Sequence, residues 1–391
     1  MNHSFEKNPT RNQLTRSLIS ASALCVALSM SVGCSSSSSS TAPKTDAADA
    51  EIVAPEWEIS HAGWSELGYE WQWTGFPPLQ PGAVLDHATA YDDILVFQGS
   101  ASTLSVLETN TGKVRWSRQV DRPATLFQES VRRGETLYTA SDTDLWEFNL
   151  HNGNTIDRDA LGTLVNTSPL LIDNLAIFGT LSGELFAFEM KNDFKLWSYR
   201  FDGPINIPAI QIDDQYIAAL SENGELRSLQ TINAHTGMST KIAGGTDANL
   251  VTDGVGIYIA SNDQSVYAFD AADGFRFWRV RSSAPVTVQH TLHEGVVYAT
   301  TNDTGLAAID SATGEMIWNN ESIGGWVMTV SQGNELIVWS GYELIAVDKE
   351  RGDVLSRLPI DGIAGIRTNS IDDGDLYIVT LEGSVAKFSH K

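Results

Sequence analysis

The stretch that decides the fold is Val266–Trp278, VYAFDAADGFRFW, because it returns at near-constant spacing along the chain. LSVLETNTGKVRW (Leu104–Trp116), LFAFEMKNDFKLW (Leu185–Trp197) and LAAIDSATGEMIW (Leu306–Trp318) are nearly complete copies. Weaker copies start at Leu145, Leu226, Leu344 and Val385, the one at Leu226 reading as if it carried a short insertion before Gly237. Successive starts lie 38 to 41 residues apart. A fixed period of about 40–45 residues is the length of a four-stranded propeller blade. Eight starts therefore predict an all-β, eight-bladed β-propeller of four-stranded antiparallel blades over residues 56–391.

Working outward from Val266, GVGIYIAS (Gly254–Ser261) alternates apolar with small or polar residues, the period of a half-buried strand. Asn262-Asp263-Gln264 turns the chain into VYAFDA, and Ala272-Asp273-Gly274 turns it again into FRFWRV. A Gly after Asp accepts the positive φ that such hairpins need. With the strand before Asp253-Gly254, each unit has four antiparallel strands. Asp213-Asp214, Glu294-Gly295 and Asp373-Gly374 mark the same first hairpin in other copies. The recurrent Trp four residues after the turn could line an aromatic binding site. A large flat ring repeated in every unit is better explained by packing in the wedge between blades, at about 2–3 kcal/mol per residue.

The chain ends announce closure. The last copy stops at Phe388-Ser389-His390-Lys391 without room for a fourth strand, whereas YEWQW (Tyr69–Trp73) is a strand with no preceding three. Pairing it with VAKF (Val385–Phe388) completes the eighth sheet from both termini and removes the open edge.

Residues 1–33 read as an export signal. Lys7, Arg11 and Arg16 precede an apolar stretch from Leu18 to Val32 that is short and rich in Ser. Its end, Val32-Gly33-Cys34, resembles the bacterial lipoprotein box, with Ser31 where Leu is usual. That resemblance implies lipidation of Cys34, and Ser35 in place of Asp implies retention at the outer membrane. A plain secretory signal with Cys34 incidental is the alternative. Residues 34–55, nearly all Ser, Ala, Thr and Asp in the first part, form a flexible tether spanning about 25 Å.

Cys25 and Cys34 are the only cysteines, so the folded part holds no disulfide. The chain carries −24, and the leader contributes a net +2, which leaves −26 on the remainder. Such a field repels phosphate backbones and excludes nucleic acid as a partner. The chain contains no nucleophile elbow, P-loop, metalloprotease or dinucleotide motif; Gly63-Trp64-Ser65-Glu66 only begins like the first. His290 and His293, three apart on a strand, face opposite ways and suit no shared metal. Asp372, Asp373 and Asp375 lack the spacing of a calcium loop and read as turn chemistry.

The phrase in VYAFDAADGFRFW and LAAIDSATGEMIW resembles the repeat of pyrroloquinoline-quinone (PQQ) enzymes and their non-catalytic relatives, over about residues 69–391. The dehydrogenase branch implies a vicinal cysteine pair and a carboxylate-held calcium, neither of which this chain offers, so a quinone-dependent enzyme is the remote alternative. The leader, the tether, the length and DGDLYIVTLEGSVAKF (Asp373–Phe388) are more similar to the BamB family of outer-membrane lipoproteins. That resemblance implies a periplasm-facing scaffold without cofactor, metal or catalytic residue, docked as a monomer to the barrel-forming subunit of the outer-membrane β-barrel assembly machinery. An envelope propeller of the same repeat with another protein or carbohydrate partner is the runner-up. The family's docking motifs match neither Asp202–Asn206 nor Gly244–Ala248, so no contact residue is assigned. Trp326 and Trp339 are read as exposed and as candidates for rim contacts or for blade packing.

Overall fold

The computed structural model describes residues 61–391 except Pro81. The signal segment, Cys34 and the tether lie outside the described residues. Thirty-two strands form eight four-stranded antiparallel sheets arranged in a ring. Blades 1 to 7 run Leu85–Gln119, Val131–Ala160, Leu170–Arg200, Ile210–Lys241, Val251–Arg281, Thr291–Asn320 and Trp326–Pro359. Blade 8 takes three strands from Ile363–His390 and its outer strand from Tyr69–Gly75. Those termini pair antiparallel from Tyr69 opposite His390 to Gly75 opposite Val385, with a bulge between Trp71 and Trp73. The expected closure is thus observed.

Eight hydrophobic clusters sit at the eight seams, each built from two neighbouring blades. Along Gly256–Ser261, Ile257 and Ile259 pack toward blade 4, and Tyr258 and Ala260 toward blade 6. This strand is buried on both faces rather than half-buried. The alternation in GVGIYIAS records which seam each residue enters, not core against solvent. A single blade has two apolar faces and cannot satisfy either alone, so the blades are stable only in a ring.

The repeated tryptophan closes five of these seams. Each Trp lies in an outer strand, and its indole N–H donates to the carbonyl that follows the third strand of the next blade. The bonds are Trp116 to Leu150 (2.8 Å), Trp197 to Thr231 (2.7 Å), Trp278 to Ser311 (2.8 Å), Trp318 to Lys349 (2.8 Å) and Trp73 to Thr109 (2.9 Å). In four of the five the ring lies over the turn glycine of that blade, and Trp197 meets Ala234 there instead. At Gly314 the φ is +74°, and an added Cβ would stand 2.4 Å from the Trp278 ring. Gly112, Gly153 and Gly352 hold the same place.

One further local reading needs correction. Blade 4 has no insertion: Ala234, with φ 56°, occupies the turn position, and Gly237 lies inside the strand Thr236–Lys241 against Tyr216. Gly63–Glu66 belongs to a short helix, His61–Glu66, whose Trp64 stacks on Phe388 at 3.5 Å, so Ser65 is no nucleophile elbow.

Antiparallel order gives the ring two distinct faces. A hairpin face carries the turns between first and second and between third and fourth strands. A connector face carries the second-to-third turns and the links between blades.

The indole–glycine contact makes a measurable distinction. Gly314→Ala and Gly362→Ala both place Ala at positive φ, but nothing lies within 4 Å of the second. Gly362→Ala is expected to cost about 1 kcal/mol, and Gly314→Ala about 2 kcal/mol more, by chemical denaturation. Equal losses would show that the glycine is there for its backbone alone.

Candidate functional site

The ring axis is lined by the first strands of the blades, which contact one another in succession from blade 5 to blade 8 and across to blade 1. A cavity of about 400 Å³ opens there, walled by Gln289, His290, Trp326, Met328, Asn369 and Ile371. Burial pushes His290 down to about 4, so it is neutral at pH 7, and its Nε2–H donates to the Tyr258 carbonyl at 3.0 Å. Trp326 is half-buried beside this cavity with its indole on the Met328 sulfur. Trp339 is 6% exposed and belongs to the seam between blades 7 and 8. It is a packing residue and not a rim contact.

The acidic run Asp372–Asp375 does more than turn the chain. Seven residues separate strand Ile363–Thr368 from Leu376–Thr380, where the other first hairpins have two to four. The extra length leaves blade 8 and forms a strap on the hairpin face. Val330 N–H donates to Ile371 O at 2.6 Å, and Asp373 N–H to Val330 O at 2.9 Å, in a parallel bridge to blade 7. Asp372 Oδ1 reaches His293 Nε2 of blade 6 at 2.7 Å, and Asn369 donates to Asp92 of blade 1 at 3.1 Å. His293 thus ties the strap down, while the His290 ring is buried against the Tyr258 carbonyl of blade 5. The two histidines serve separate places, as their spacing implied. No group of three His, Cys, Asp or Glu among the described residues is arranged to hold a metal.

On the connector face, Asp202–Asn206 and Gly244–Ala248 are fixed by side-chain bonds. Asp202 accepts from Ser221 Oγ at 2.8 Å and pairs with Lys241 at 2.5 Å; Asn223 donates to the Asp202 carbonyl at 2.7 Å. Thr246 Oγ1 donates to Ala260 O at 2.5 Å, and Asn262 to Asp247 at 3.1 Å. These loops present carboxylates and amides in set positions. Around them Leu164 and Leu181 are each 64% exposed.

The seam between blades 2 and 3 departs furthest from the rule. Asp157 takes the tryptophan position, and Asp193, φ 56°, takes the glycine position. Burial, then Asp159, Asp157 and Asp193, pushes Glu147 up to about 7. Burial, then Asp157 and Asp193, pushes Asp159 up to about 6. Arg158 turns away, to Asp144 at 3.3 Å and over the Trp146 ring at 4.1 Å. Sequence reading missed this cluster, although setting the copies in register puts Asp157 twelve residues after Leu145, where Trp116 follows Leu104 by the same interval.

With this geometry in place, comparison with known proteins is decisive for the family. The profile of the outer membrane protein assembly factor BamB matches residues 56–280 and 262–389. The chain belongs to the BamB family. BamB from Moraxella catarrhalis is similar in structure, with TM-score 0.66 and 16% identity over 83% of this chain and 98% of that one. The computationally designed Ika8 protein matches at TM-score 0.66 and 12% identity, over 78% and 96%. The C-terminal WD40 domain of Sif2 matches at 0.64 and 9%, over 82% and 98%. At these identities the structural matches show the propeller fold alone. No curated protein sequence matches significantly.

The carboxyl cluster yields a pH dependence. Raised pKa values mean that the folded state binds protons the unfolded chain, at about 4, does not. The penalty is full above about pH 7 and is relieved as pH falls through 7 and 6. Asp159→Asn should therefore raise the melting temperature at pH 8, with the gain shrinking toward pH 5. A gain that is constant across this range would show that the cluster does not titrate there.

Proposed function

We propose that this chain is a non-catalytic scaffold lipoprotein, anchored through a lipidated Cys34 to the periplasmic side of the outer membrane. There it docks to the barrel-forming subunit of the β-barrel assembly machinery and assists insertion of outer-membrane proteins. The observation that carries this reading is the BamB family profile spanning nearly the whole folded chain. The recurrent tryptophans are accounted for by blade packing, and His290, His293 and the acidic strap by bonds within the fold. The connector face supplies the docking surface: exposed Leu126, Leu164, Leu181 and Leu381 stand among fixed carboxylates and amides. Apolar anchors with a polar rim suit a protein partner.

Affinity purification of the tagged protein from detergent-solubilised envelopes tests both parts. The barrel-forming subunit should be recovered, and Leu164→Asp with Leu181→Asp should abolish recovery without lowering the melting temperature. Cys34→Ala should move the protein to the soluble fraction or leave its precursor uncut. Failure to recover the subunit with the intact protein would overturn the docking. A processed Cys34→Ala protein that still sediments with membranes would overturn the anchor.

A further inference from the structure

The seam between blades 4 and 5 lacks its indole. Met238 stands twelve residues after Leu226, at the tryptophan position, and lies over Gly274 as the indoles lie over their glycines. A thioether has no N–H to donate. The third strand of blade 5 is followed by Ala271, which corresponds to Thr109, Leu150, Thr231, Ser311 and Lys349. Those five carbonyls each accept an indole bond, and that of Ala271 receives none from blade 4. At the other two seams without a Trp in this position, carboxyls gather around Asp157 and Asp159 at one, and Trp64 of the helix His61–Glu66 packs into the other.

Met238 fills the position over Gly274, and the seam is open beside it, next to Gly237 and Ala271. A cavity of about 260 Å³, mixed in character, is lined by Ile212, Asp213, Tyr216, Ser228 and Gly237 from blade 4 and by Gly254, Ala271 and Ala272 of blade 5. An apolar cavity on the order of 150 Å³ already accepts a benzene-sized ring. Gly237 helps keep the space free, since a Cβ there would stand 2.6 Å from the Tyr216 ring. The mouth lies on the hairpin face. Beside it Val255 and Phe275 are 66% and 67% exposed, in the same two turns as Gly254 and Ala271–Ala272.

We propose that this cavity binds a tryptophan side chain presented by another polypeptide, whose indole N–H donates to the Ala271 carbonyl. The five intramolecular indoles are the precedent for the bond, and the incoming ring would lie beside Met238 rather than over Gly274. Asp213 in the cavity wall and Asp253 and Asp273 in the surrounding turns meet no added charge from a residue within a chain, whereas free tryptophan must place a carboxylate and an ammonium among them. Val255 and Phe275 offer apolar surface to the residues flanking it. The site is on the face opposite the connector loops, so it stands whether or not those loops dock the assembly subunit.

Calorimetric titration of the purified protein with the capped peptide acetyl-Gly-Trp-Gly-amide tests the site. Saturable one-to-one binding is expected, weakened about tenfold or more when the indole nitrogen is methylated. Met238→Trp should fill the position, raise the melting temperature and abolish binding. Ala272→Leu, which narrows the mouth and leaves the backbone turn intact, should abolish it without the stabilisation. Absence of saturable binding, or equal binding by the methylated peptide or by both variants, would overturn the site. Free tryptophan binding as tightly as the capped peptide would overturn the assignment to a polypeptide.

Discussion

The structure depends on one contact repeated around the ring: an indole laid flat on the turn of the next blade, with its N–H given to the following carbonyl. The contact joins two requirements that neither blade meets alone. A large apolar ring must be removed from water, and its single donor must find an acceptor when it is. Because the acceptor belongs to the neighbouring blade, each bond fixes position as well as adhesion between sheets. Trp73 makes the bond from the N-terminal strand across to Thr109 of blade 1, beside the seam where the two chain ends meet. Closure is therefore the same interaction used once more, supplied by the other end of the chain.

The departures from this contact fall at three seams, and each has a different physical outcome. Between blades 2 and 3 carboxyls gather instead, and Glu147 and Asp159 among them have raised pKa values. A thioether takes the indole position between blades 4 and 5, and a cavity of about 260 Å³ lies beside it. Between blades 7 and 8 a residue from outside the repeats, Trp64, packs beside Phe388. The indole bond recurs at five seams, and different chemistry stands at the other three. Local rules in proteins tend to be broken where something other than stability is at stake.

The sequence made the architecture legible because a 40-residue period carries eight independent readings of the same unit. The pairing of Tyr69–Trp73 with Val385–Phe388 followed from counting strands. What was not legible depends on contacts between copies. The alternation in Gly254–Ser261 resembled a half-buried strand because residues facing two different apolar seams also alternate. Trp339 could not be told from a surface residue without its neighbours, and Ala234 at positive φ disguised a regular turn as an insertion. The strap was visible only as seven residues between two strands, and its partners Val330, His293 and Asp92 lie far away in the chain. The carboxyl seam could have been found by aligning the copies and asking what replaced each tryptophan.

Residue-resolved hydrogen exchange at the indole nitrogens tests the central claim directly. The N–H groups of Trp73, Trp116, Trp197, Trp278 and Trp318 should exchange only through global unfolding, with one common free energy. Trp71, 45% exposed and with its indole N–H on the Thr74 hydroxyl within its own turn, should exchange rapidly. If Trp73, or any other of the five, exchanged as fast as Trp71 while the remainder stayed protected, that seam would open on its own. The ring would then not be held by these bonds.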